Sequence, residues 1–203
     1  AFFGCSNLFT LAFPDGLLTI GGDAFRNCIG LTALIIPNSV HAIGIGAFSG
    51  CTGLNSIKVI SDNMFYDSRD NCNAIIETGS NTIIAGCKNT EIPYGVVNVG
   101  LRAFENCSGL TNIVIPNSVQ LIGGSAFNGC TSLASINIPD GVTTIASSAF
   151  YNCTSLTSVI IGNGVTSIGE SAFQYCSNLS SVIIGNGIKN IARHAFSIIP
   201  SIT

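Results

Sequence analysis

A parallel β-solenoid, a rod of short coils stacked one on another, is the fold this sequence predicts, and three observations carry it. Ala-Phe recurs at Ala1, Ala24, Ala47, Ala103, Ala126, Ala149, Ala172 and Ala195, a step of 23 residues broken only between Ala47 and Ala103. Within each step the apolar spacing changes from helical to alternating, so every coil holds a bend and a short strand. Charged residues make up 8% of the chain and hydrophobic ones 47%, a composition that folds by burying apolar surface. A 23-residue unit cannot bury its apolar side alone, so the units must stack.

The elements follow in order along one unit. Ala149, Phe150, Cys153 and Leu156 lie at helical spacing but leave room for only one α or 3-10 turn. Val159 and Ile161 alternate with exposed positions, which predicts a short strand. Gly162-Asn163-Gly164 is turn chemistry, as are Pro-Asn-Ser and Pro-Asp-Gly at the same place in sister units. Val165 and Ile168 then line the return path before Gly169 redirects the chain. Stacking in register predicts buried ladders, one of phenylalanine from Phe2 to Phe196 and one of cysteine from Cys5 to Cys176.

The step from Ala47 to Ala103 spans 56 residues, so one repeat, residues 61–92, is enlarged and irregular. Ala74-Ile75-Ile76 and Ile83-Ile84-Ala85 flank a glycine-containing turn, which predicts a β-hairpin projecting from the solenoid. With Thr78-Gly79-Ser80-Asn81 as the loop, Glu77 pairs with Thr82, Ile76 with Ile83, and Cys72 comes opposite Cys87. That pairing allows a disulfide; the alternative is a Cys87 thiol pointing into the core. Ladder cysteines one strand spacing apart with parallel side chains do not suit a disulfide and are expected free.

Chemistry-bearing constellations are scarce. His41 and His194 are the chain's two histidines, and both sit at variable, solvated positions. Asp62, Asp67 and Asp70 lack the spacing of a calcium loop, and the glycines fall in repeat phase instead of forming a phosphate cradle. Asn106-Cys107-Ser108, Asn152-Cys153-Thr154 and Asn178-Leu179-Ser180 fit a glycosylation pattern inside bends and read as chance turn residues. The expectation is a non-enzymatic protein with no cofactor and no metal. A net charge of −3 gives no footprint for nucleic acid. No apolar run reaches the roughly 18 residues of a membrane span, so direct membrane insertion is not expected. The chain begins and stops mid-repeat without polar capping coils, which predicts either flanking segments that cover the ends or end-to-end self-association.

The skeleton A-F-x-x-C-x-x-L-x-x-[I/V]-x-[I/V]-[P/G]-x-x-[V/I]-x-x-I-[G/A] resembles the BspA-type leucine-rich repeats, and the resemblance covers nearly the whole chain. It implies a single leucine-rich repeat domain over 1–203, a β-rich right-handed superhelix. A parallel β-sheet would line the concave face, with short helical or 3-10 turns and short strands on the return side. The segment from Tyr66 to Glu77, followed by Ile84 to Thr90, looks like one recurring in gut Bacteroides proteins. Family likeness further implies a secreted or surface-anchored protein, extracellular, with signal and anchor outside these residues.

Two functions follow as expectations. One is a cell-surface recognition or adhesion module that binds a protein ligand, host matrix or surface proteins included. The other is a structural spacer or self-associating stalk that displays other domains. Ten of the seventeen charged residues fall between Lys58 and Glu105, and Met64, Phe65 and Tyr66 put bulky groups where other units have small polar ones. Aromatic and arginine groups beside mixed charge are the ingredients of a binding hot spot. The candidate partner contacts are therefore Lys58, Met64, Phe65, Tyr66, Arg69 and Glu91, with Ile160 and Ile183 on the exposed row of the strand face. The competing reading of Phe65 and Tyr66 is that they plug the gap where the regular coil is interrupted.

Overall fold

Every coil opens with a bend of repeating conformation. The computed structural model describes residues 1–199, so positions 200–203 of the expected open C-terminal edge lie outside the described residues. The residue before each ladder alanine and the one before each ladder cysteine have positive φ, as in Asp23 and Asn27, Arg102 and Asn106, or Ser148 and Asn152. A left-handed residue on both sides of Ala-Phe-x stops helical winding. It also turns alternate N–H groups along the rod: Ser148, Phe150 and Asn152 donate to the carbonyls of Glu170, Ala172 and Gln174 at 2.9, 2.7 and 2.8 Å. The bends expected as helical or 3-10 turns are thus turns bonded to the next coil. Among the described residues a single 3-10 segment occurs, Arg69–Asn71.

The strands are, in order, β1 (Thr19–Ile20), β2 (Ala33–Ile36), β3 (Ala42–Ile43), β4 (Ser56–Val59) and β5 (Tyr66–Asp67). They continue with β6 (Ala74–Glu77), β7 (Thr82–Gly86), β8 (Asn98–Val99), β9 (Leu121–Ile122) and β10 (Ser135–Ile138). The last are β11 (Thr144–Ile145), β12 (Ser158–Ile161), β13 (Ser167–Ile168), β14 (Ser181–Ile184) and β15 (Asn190–Ile191).

Four-residue strands pair in parallel and in register, Ser135 with Ser158 and Ser158 with Ser181. They form two pieces, β2–β4 and β10–β12–β14, and the intervening residues 89–92 and 112–115 belong to no strand. On the return side β1 pairs with β3, while β5 to β9, β11, β13 and β15 make one eight-stranded sheet.

The enlarged repeat forms the expected hairpin, with Glu77 opposite Thr82 and Ile76 opposite Ile83, but it does not project from the solenoid. Instead β6 and β7 are inserted into the return-side sheet, β7 pairing in parallel with β8, and Ile75, Ile76 and Ile83 are fully buried. Isoleucine on both faces of β6 explains this: a free hairpin would leave one apolar face in water, and insertion covers both. A register shift between Ile75 and Ile76 sets Ala74 opposite Gly86, so Cys72 and Cys87 do not meet. Both thiols are free and buried, in different core clusters.

The phenylalanine ladder is a parallel stack. Ring centroids from Phe104 through Phe127, Phe150 and Phe173 to Phe196 step by 4.9, 5.0, 5.1 and 5.1 Å, close to the spacing of paired strands. A second stack joins Phe2, Phe25 and Phe48. Between the two stacks lies Gly86, whose missing side chain is filled by the Phe104 ring: a Cβ there would stand 2.1 Å from Phe104 Cε1. The cysteine ladder does more than fill space. Cys51, Cys130, Cys153 and Cys176 each direct Sγ to the carbonyl of the phenylalanine 26 residues earlier, at 3.0 to 3.2 Å. At the first coil Phe2 and Cys5 are exposed, contrary to the expected burial of whole ladders.

Candidate functional site

The surface around the enlarged repeat departs most from the pattern, and its chemistry starts with polar side chains at positions that are apolar elsewhere. Thr90 takes the place that Ile113 holds one repeat later. Its hydroxyl donates to the Asn73 carbonyl at 2.6 Å and accepts the Cys87 N–H at 2.8 Å. Those bonds turn the backbone of 87–90 away from extended pairing. Asn63 stands where Val40 stands one repeat earlier; its amide donates to the carbonyls of Pro37 and Val40, and its oxygen accepts the N–H groups of Phe65 and Tyr66.

Tyr66 corrects the sequence expectation. It is 5% exposed, and its hydroxyl accepts the Ile43 N–H at 2.9 Å, the group that a regular strand would have satisfied. Burial raises its pKa. Tyr66 plugs the interrupted coil and offers a partner no surface, which is the competing reading of this residue.

The remaining candidates do not converge on one place. Lys58 and Arg69 line a shallow groove of about 340 Å³ with Ser61 and Asn71. Arg69 is already engaged there: its guanidinium holds both Asp67 carboxylate oxygens, at 2.9 and 2.6 Å, and Asn81 Oδ1 at 3.0 Å. The bond to Asp67 raises the arginine pKa further. Glu91 lines a second groove of about 690 Å³ with Asn73, Lys88, Asn89 and Val114. Ile160 and Ile183 line a third, of about 410 Å³, beneath the turns at Asp140, Asn163 and Asn186. Met64 and Phe65 stand apart, 84% and 51% exposed, with the Phe65 ring 5.8 Å from His41.

A charged cluster escaped the sequence reading. Arg26 lies 3.2 Å from Asp23 and 3.1 Å from Glu105, and Arg102 lies 3.8 Å from both acids. The intervening bend is small, Gly46, Ser49 and Gly50, so these side chains reach across it and Gly50 N–H bonds Glu105 O at 2.9 Å. Glu105 Oε2 is buried and lies 3.1 Å from Arg26 Nη1 without a hydrogen bond, while Oε1 accepts one from Arg26 Nη2 at 3.3 Å, so the carboxylate is paired through one oxygen. The signal was available in the repeat phase: Asp23 and Arg102 share one bend position, and Arg26 and Glu105 another.

Desolvation pushes the thiols of buried Cys51 and half-buried Cys107 up to about 12 and that of buried Cys72 up to about 11. Among the described residues no three His, Cys, Asp or Glu side chains converge as metal ligands would, and no helix is long and apolar enough to cross a membrane.

Stacked coils with a leucine-bearing bend, a short parallel strand and a return strand define a leucine-rich repeat solenoid. The profile described as BspA type leucine rich repeat region matches six copies over residues 1–87 and 82–203, and the chain belongs to that family. Its fold is similar to the pneumococcal vaccine antigen PcpA, with 22% identity, a TM-score of 0.74, and 89% of this chain matched to 47% of that one. A leucine rich cell surface protein of Faecalibacterium prausnitzii is 27% identical, with a TM-score of 0.57 over 92% of this chain and 61% of that one. The leucine rich repeat protein of T. pallidum is 30% identical, with a TM-score of 0.54 over 88% of this chain and 69% of that one. This chain thus spans about half to two thirds of the length of these structures. A search of curated proteins finds no match to it. Leucine-rich repeats of this kind are typically non-enzymatic and serve in protein interaction or display.

Proposed function

We propose that the chain is a non-enzymatic recognition module acting at a cell surface, and that it grips a protein ligand, host proteins included, through the surface of its enlarged repeat. The observation that supports this most is the Met64-Phe65 pair, which holds two adjacent large apolar side chains in water at the interrupted coil, Met64 being more exposed than any other large apolar side chain among the described residues. Apolar groups so exposed, with charged grooves near them in sequence, suit the anchor of a protein interface. Membership of a family with a cell-surface relative supports the location. The spacer reading draws on the regular coils after Ala103, where Thr143, Thr157 and Thr166 spend their hydroxyls on the carbonyls of the previous coil.

The test is capture from host fluids by immobilised protein, with the double variant Met64→Ser and Phe65→Ser run beside it. Both positions face solvent, so unfolding curves should coincide. The module reading expects a retained protein that the variant loses; equal retention by both, or retention by neither, would leave the spacer.

A further inference from the structure

We infer that the opening in the long-strand face is a docking site for an extended peptide segment of a partner protein, which binds by adding its backbone to the unpaired one. Asn112 to Ile115 carry the same alternating pattern as β10 and β12, Ile113 and Ile115 buried, Asn112 and Val114 exposed. Yet among the described residues none of their four N–H groups and none of their four carbonyls has a hydrogen-bond partner. The next coil touches this stretch with one bond beside it, Ala134 N–H to Thr111 O at 3.3 Å. On the other side Glu91 N–H turns to the Cys72 carbonyl, and the carbonyl of Asn89 is taken by the Asn73 amide. Elsewhere on this face the strands pair residue for residue.

Backbone groups cannot be left unpaired cheaply, and along an extended segment donors and acceptors alternate at strand spacing. Water satisfies such a row piecemeal. Another extended backbone satisfies at once every group on the side it pairs with, which is the physics of strand addition. The 690 Å³ groove opens on this row, so the space exists beside the groups. Its rim sets the side-chain chemistry: Lys88 asks for an acidic residue, Glu91 for a basic one, and Val114, 73% exposed, for an apolar contact. The occupant is thus a mixed-charge, unstructured segment, not a folded surface and not an anion alone. This site is separate from Met64 and Phe65 and does not depend on their role.

Amide hydrogen exchange tests it on the whole chain. In the free protein, amides 112–115 should exchange at least about tenfold faster than those of β10 and β12. The probe is a pool of blocked heptapeptides that alternate Val or Thr with Lys or Glu, matched by the same pool N-methylated at alternate residues. The first pool should slow exchange about tenfold or more at the alternate amides of 112–115 that face the groove and leave β14 unchanged; the methylated pool should not slow them. Protection of 112–115 equal to that of β12 in the free chain would overturn the proposal. So would no slowing by the first pool, or equal slowing by both.

Discussion

From Ala103 onward and between Ala47 and Ala103, the same repeat meets two fates. After Ala103 each coil copies its neighbour: rings stack on rings, thiols reach carbonyls, and bends bond to bends. Across the enlarged repeat nothing can be copied, and each interaction lost is replaced by a different one. Tyr66 hydroxyl stands in for a strand carbonyl, Gly86 for a phenylalanine, and the Arg26–Glu105 pair for a row of small polar residues. The lesson is that identity of neighbours supplies ladder interactions automatically, whereas a break must be repaired residue by residue, and repairs leave polar groups and open edges at the surface.

Substitutions at the two kinds of site should separate accordingly. Phe150 is sandwiched between Phe127 and Phe173 and fully buried, so Phe150→Ala should cost about 3 to 5 kcal/mol. Phe48 stacks on Phe25 alone and should cost about 2 to 3 kcal/mol by the same measure, urea unfolding. Equal costs would mean that the break in the stack has no energetic weight. Next in size, Gly86→Ala should lose about 1 to 3 kcal/mol because its methyl group overlaps Phe104, while Gly79→Ala, with open space around it in the hairpin loop, should change little. Tyr66→Phe should cost about 1 kcal/mol by orphaning the Ile43 N–H, and exchange at that amide should quicken.

Near neutrality the smallest effect is that of pH. Cys51, Cys72 and Cys107 titrate near 12, 11 and 12 in the folded chain against an ordinary thiol value of 9.0. Above pH 9 the unfolded chain therefore releases protons that the folded chain keeps, so the contribution of these thiols is constant below pH 9 and stability falls as pH rises toward 12. Unfolding midpoints from pH 7 to 11 check the sign; a midpoint that rises through this window would contradict the burial of these thiols.

Repeat phase made much of this legible from residues alone. It placed the ladders, the strands, the hairpin and its loop, because these depend on apolar periodicity and on turn chemistry. The bends were misread as helical since Ala, Phe, Cys and Leu point inward at helical spacing whichever way the backbone runs. The clue lay in the Asp, Asn, Ser and Gly that precede each ladder alanine and cysteine, residues that tolerate positive φ. Tyr66 was misplaced although it falls 23 residues after Ile43, in ladder phase. The opening at 112–115 could not be read there at all: Asn112-Ile113-Val114-Ile115 is as good a strand sequence as Ser158-Val159-Ile160-Ile161, and it lacks a mate on the side of residues 89–92 because a hydroxyl two dozen residues earlier bends that coil.

The inserted hairpin has a further consequence for how the chain finds its structure. Near-identical coils can be stacked one unit out of step with almost every contact preserved, so a folding solenoid faces the hazard of a vernier with no zero mark. The segment from Tyr66 to Gly86 cannot sit anywhere but beside its own neighbours: the phenol must reach Ile43, and the glycine must lie under Phe104. It is the index line of the scale, and a chain in which it were replaced by another ordinary coil would lose the feature that counts its repeats.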